Sequence, residues 1–178
     1  MITDAQWNSL LYLRKSDFPA PDNMQWSIIS ALDSFIGLEN SRPEILSTYR
    51  PGDPRQHGKG TAIDTAWPGA NPLQINQDAL DSKLFSGVGV YINPAGVASH
   101  HFDTRTDRTT TNPARWGGII EHPTDPATGE VSKSITYTTM QAVLDLIKKN
   151  VTPSTSLVLI LLCGIGLYLL LTSGKGHP

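Results

Sequence analysis

Two polar stretches carry the residue types that chemistry needs. The first is His57-Gly58-Lys59-Gly60-Thr61-Ala62-Ile63-Asp64, preceded by Ser47-Thr48-Tyr49-Arg50. It sets an imidazole and a carboxylate seven positions apart, and both groups bind Zn2+ at about 2.0–2.2 Å. Gly58 and Gly60 allow a turn sharp enough for both side chains to reach one ion. Ala62 leaves room for another element to pack close. The second stretch is Ala98-Ser99-His100-His101-Phe102-Asp103-Thr104-Arg105. Read as a strand, it turns Ser99, His101, Asp103 and Arg105 to one side and His100, Phe102 and Thr104 to the other. A catalytic zinc site takes three protein ligands and leaves one position open for water. His57 and Asp64 supply two; the remaining histidines are His100, His101, His122 and His177.

The first stretch resembles the HxxGxAxD motif of the zinc peptidases that act as D-Ala-D-Ala carboxypeptidases and L-Ala-D-Glu endopeptidases. That group shares its fold with the hedgehog signalling domain. Ser47-x-Tyr49-Arg50 matches its earlier S-x-Y-R element. Gly87-Val88-Gly89-Val90-Tyr91, His101-x-Asp103, Arg105 and Arg115-Trp116 are similar to its second motif, G-x-G-x-Y followed by H-x-D and R-W. The resemblance covers roughly residues 44–116. It implies that His101 is the third ligand, that the cofactor is Zn2+ and that the protein cuts a peptide bond in the stem or crossbridge of peptidoglycan.

Arg50 is then a candidate to stabilise a tetrahedral oxyanion, to clamp a substrate carboxylate, or to form a structural salt bridge. Many members of the group carry Glu or Asp three positions before the second histidine, and here that position is Ala98. Asp103 and His100 are the nearby candidates to move the proton. Asp103 could equally orient an imidazole. The missing acid supports a rival reading, a metal-binding structural or interaction module without catalysis.

These residues need a scaffold, and the rest of the chain describes an α+β one. Apolar residues at helical spacing predict helices over 4–13, 23–38, 74–85 and 136–149. Strands are predicted at 44–49, 87–92, 98–105 and 114–120, joined by turns rich in Gly and Pro. The expectation is a small antiparallel sheet with flanking helices over residues 1–149. The chain has 178 residues and a net charge of −2, with a pI near 6.2. No basic field is available for a nucleic-acid backbone. Cys163 is the single cysteine, so no intrachain disulfide can form.

The N-terminus lacks the apolar run of a secretory signal. At the other end, residues 150–174 carry no charge and 157–171 read as apolar throughout. As a helix, those fifteen residues reach about 22 Å, and the flanking turns extend it toward a hydrocarbon core of about 30 Å. The expectation is a linker over 150–156, a single-pass transmembrane helix over 157–173 and a tail over 174–178. Lys148 and Lys149 beside that helix place the domain on the cytoplasmic side. A phage setting reconciles this with a cell-wall substrate: a lytic or virion-associated enzyme, anchored in a host inner membrane or a virion membrane. A bacterial wall enzyme with the opposite topology is the alternative.

Overall fold

A computed structural model describes residues 1–123, 128 and 131–151. The first helix, α1 (Asp4–Ser9), opens on a capping box in which the Thr3 hydroxyl accepts from the Gln6 amide and the Gln6 side chain accepts from the Thr3 amide. It ends earlier than its sequence pattern suggests, and the reason is Asp33. The amides of Leu11, Tyr12 and Leu13 donate to the buried Asp33 carboxylate at 3.1, 2.8 and 2.8 Å. Three donors on one carboxylate satisfy the backbone that the helix would otherwise have paired.

Asp33 lies on α2 (Trp26–Glu39), which stops where Asn40 adopts a left-handed conformation, φ 46°. Ile28, Ile29, Leu32, Phe35 and Ile36 on α2 are buried, as their three- and four-residue spacing requires. Phe35 stands at the centre of the core. Its ring meets Trp67, Phe85 and Phe102 edge-on, each at 5.5 Å. Phe35→Ala would cost about 3–5 kcal/mol by leaving that space unfilled.

The strands are β1 (Glu44–Ser47), β2 (Ala62–Ala66), β3 (Gly87–Ile92), β4 (Ala98–Asp103), β5 (Ala114–Glu121) and β6 (Ser134–Thr138). They form one sheet in the order β1-β2-β4-β3-β5-β6. Two further helices, α3 (Pro72–Ser82) and α4 (Met140–Val151), complete the described fold. Asn71 caps α3 through the Leu73 amide, and Pro72 follows at the first helical position. The helices pack on one side of the sheet with Ile63, Val88, Val90 and Phe102. The other side is left for the site.

Three expectations require correction. The sheet is mixed rather than antiparallel, because β3 and β5 run parallel with Gly87 opposite Ala114 and Ile92 opposite Ile119. β4 ends at Asp103, beside the first residue of β3. The segment 104–113 then rounds that same end of β3, so β5 must start there and run in the direction of β3. The second correction concerns 136–149, which begins as strand β6 and becomes helix only at Met140. Thr136, Tyr137 and Thr138 favour an extended backbone, and the Thr139 hydroxyl accepts the Ala142 amide at 3.2 Å to open α4. The third concerns the membrane. Among the described residues no helix is long and apolar enough to cross a bilayer, so the expected single-pass anchor and membrane localisation are not supported there. The longest described helix, α2, has 14 residues, about 21 Å against a hydrocarbon core of about 30 Å. Residues 157–173 lie outside the described residues.

Candidate metal centre

His57 sits in the loop between β1 and β2, Asp64 on β2 and His101 on β4. Asp64 pairs with His101 across the two antiparallel strands. The loop brings His57 back over them. Gly60 has φ 68°, and a side chain there would strike the Asn23 carbonyl. A side chain at Gly58 would strike the Asp53 carbonyl.

The three side chains converge. His57 Nε2 lies 3.2 Å from Asp64 Oδ1 and 3.2 Å from His101 Nδ1, and His101 Nδ1 lies 2.8 Å from Asp64 Oδ1. Four ligands placed tetrahedrally at about 2.0–2.1 Å from zinc are about 3.3–3.4 Å apart. The other ring nitrogens decide which protons are present. His57 Nδ1 is 2.6 Å from the Thr48 carbonyl, which can only accept, so Nδ1 carries the hydrogen. His101 Nε2 is 3.1 Å from Asp103 Oδ2, and Arg105 grips that carboxylate with Nε at 2.9 Å from Oδ1 and Nη2 at 2.6 Å from Oδ2. Asp103 is fully buried and ionised, so His101 Nε2 also carries its hydrogen. With both rings neutral, two imidazole lone pairs and a carboxylate oxygen face one another across about 3 Å, a donor set that suits a cation. His57, Asp64 and His101 form a group that could hold a metal ion.

The ionisation states follow from these contacts. Without a metal, a proton shared with the rings takes the cation's place: burial alone would push the Asp64 carboxyl up, but hydrogen bonding with His101 and His57 outweighs it and holds Asp64 well below the usual carboxylate range. Burial likewise opposes the Asp103 charge, and the bonds from Arg105 and His101 bring its pKa down to about 2. His101 is pushed down by desolvation and further up by Asp103 and Asp64, so its net shift is upward.

The glycines of β3 make this arrangement possible. A side chain at Gly87 would overlap the Asp103 carboxylate, and one at Gly89 would overlap the Trp116 indole. Trp116 lies 4.9 Å beneath the Arg105 guanidinium and donates from Nε1 to the Tyr91 hydroxyl at 2.8 Å. The residues of the G-x-G-x-Y, H-x-D and R-W pattern thus form one connected cluster behind His101. Arg115, beside Trp116, is exposed and takes no part in it.

The metal group lies in a cleft of about 800 Å3. Arg50 lines it and binds the second oxygen of Asp64 through Nη2, while Nε donates to the Ser47 hydroxyl at 2.8 Å. This is the salt-bridge alternative for Arg50, and it fixes Asp64 with Oδ1 turned to the imidazoles. His100 is placed elsewhere. It points to the opposite side of β4, is 1% exposed, donates from Nε2 to the Pro72 carbonyl at 3.1 Å and stacks on Phe102. The expected proton-shuttle role for His100 is corrected on that ground: the pleat of β4 turns it away from the cleft. Asp103 is fully buried, does not line the cleft and meets the metal group through His101, a position that suits orienting that ring. His122 is exposed and outside the cleft, and His177 lies outside the described residues.

One carboxylate was missed from the sequence. Asp53, in the turn after β1, lines the cleft, with Oδ2 3.9 Å from Arg50 Nη1 and Oδ1 accepting the Arg55 amide at 2.7 Å. It falls in a Pro-Gly-Asp-Pro turn, where an aspartate ordinarily serves the backbone, so no pattern marks it.

No family model, no curated protein and no solved structure matches this chain. The likeness to the D-Ala-D-Ala peptidase group rests on the motif residues alone.

Proposed function

We propose that this protein is a zinc-dependent peptidase that hydrolyses a peptide bond of peptidoglycan. One observation carries the reading: two imidazole nitrogens and a carboxylate oxygen meet within about 3 Å on the wall of an open cleft. Two imidazoles and one carboxylate suit Zn2+, and the motif resemblance supplies the substrate class. Bound zinc lowers the pKa of its water toward neutrality and polarises a carbonyl.

The chain's own residues do the rest. His57, Asp64 and His101 hold the metal. The Thr48 carbonyl and Asp103 fix the tautomers of the two imidazoles. Arg50 keeps Asp64 oriented. With Asp103 locked against Arg105 and His100 on the far face, Asp53 is the cleft carboxylate left to accept and return a proton. The expectation of a phage setting rests on the C-terminal helix and is not carried into this proposal.

A second reading has its own observation. Ala98 stands where many members of the resembling group carry an acid, and the domain then binds metal without catalysis. Purified peptidoglycan separates the two. Incubated with the zinc-loaded full chain, it should release new free amines. Chelator should stop the release, and Asp64→Asn should show none. Metal bound at one equivalent with no amine released would contradict the peptidase and favour the binding module.

A further inference from the structure

Four cations line the cleft: Arg50, Arg55, Arg105 and Lys133. Two of them are neutralised. Arg50 binds Asp64 and lies near Asp53, and Arg105 clamps Asp103. The Arg55 guanidinium and the Lys133 ammonium have no carboxylate partner among the described residues, although the Arg55 amide donates to Asp53. Four cations against Asp53, Asp64 and Asp103 leave one positive charge in excess here, whereas the chain as a whole is slightly acidic.

Arg55 is also held in place. Its Nη1 donates to the Tyr137 hydroxyl at 3.0 Å, and its Cζ lies 5.6 Å from the centre of that ring. A neutral phenol fixes the guanidinium without cancelling its charge and uses one of its five N–H donors. The contact joins the loop before His57 to β6, that is, the β1 edge of the sheet to the far edge. Lys133, Ile135 and Tyr137 all line the cleft, as the two-residue period of an extended chain requires. A guanidinium pinned in position matches a carboxylate in a two-point fork, and the lysine ammonium adds a mobile second charge.

We propose that Arg55, Lys133 and Tyr137 form an anion subsite that selects peptides bearing a free carboxylate and draws them over the metal group. The proposal rests on the peptidase reading for its substrate, and its test is arranged so that the two fail separately. The probe is a synthetic N-acetylated peptidoglycan stem pentapeptide, made with free carboxylates, with each carboxylate amidated singly, and with all of them amidated. Zinc-loaded wild-type protein should hydrolyse the free acid with a kcat/KM at least tenfold above that of the fully amidated peptide. One single amidation should account for most of the loss. The ratio should fall toward one in Arg55→Gln combined with Lys133→Gln, and Arg55→Lys should retain part of it. A wild-type ratio near one, or an unchanged ratio in the double variant with native metal content and melting temperature, would overturn the subsite.

Should no peptide be cut, the peptidase reading fails, and calorimetric binding of the same acid and amide peptides decides the subsite alone. Tighter binding of the acid, lost in the double variant, supports it. Equal binding of acid and amide overturns it.

Discussion

His100 and His101 are neighbours on one strand and live in different solvents. His100 faces the helices, stacked on Phe102, and burial pushes its pKa down to about 4. Its Nδ1 has no hydrogen-bond partner among the described residues. His101 faces the cleft between Asp64 and Asp103, and there the two carboxylates overcome desolvation and push it up. The residue type is the same and the backbone almost the same. What differs is whether carboxylates were brought to the ring. One side of β4 treats an imidazole as a flat core side chain, and the other builds it into a charged network.

The largest effect that would sharpen this contrast belongs to the cleft side. Asp53→Asn should lower kcat on peptidoglycan by about 10^2 to 10^4-fold, the usual range for loss of a general base, while metal content stays at the wild-type level. An unaffected rate would remove Asp53 from the mechanism and leave the network behind His101 without a proton carrier. A smaller effect comes from behind the ring. Asp103→Asn should weaken metal binding by about 10–100-fold, read by competition with a chromophoric chelator. Equal affinity would mean that His101 needs no help to present Nδ1.

The smallest effect lies on the core side. His100 has a folded pKa of about 4 against an ordinary 6.5. Between those values the unfolded chain takes up a proton that the folded chain refuses. Its contribution to stability is therefore whole above pH 6.5 and declines as the pH falls toward 4, by about 3 kcal/mol in all. Urea unfolding of metal-free wild type and His100→Leu should diverge by that amount over this window, with the wild type losing ground in acid. Parallel pH profiles would show that His100 is not buried as a neutral ring.

Much of this contrast can be read in the sequence, because it depends on strand alternation. The two-residue period of 98–105 separates His101 and Asp103 from His100 before any coordinates exist. The helix at 23–38 is legible for the same kind of reason, since Ile29, Leu32, Phe35 and Ile36 repeat at helical spacing. What escapes the sequence depends on contacts between distant residues. The parallel pairing of β3 with β5 follows from where β4 ends. The early end of α1 follows from Asp33, 20 to 22 residues away from the amides it accepts. Strand β6 hides because Met140, Val143, Leu144 and Ile147 make a strong helical pattern beside it. Arg50 illustrates the limit within the site: the motif marks it as a site residue, but its partner, Asp64, follows from contacts that the sequence does not show.

The central claim is that two imidazoles and one carboxylate share a single metal ion while the adjacent histidine does not. Metal content after dialysis against Zn2+, measured by plasma mass spectrometry, tests it in four proteins. Wild type and His100→Leu should each retain one equivalent, and His57→Ala and His101→Ala should retain none. A His101→Ala protein that still holds its full equivalent, or a folded wild type that holds no metal, would contradict the account.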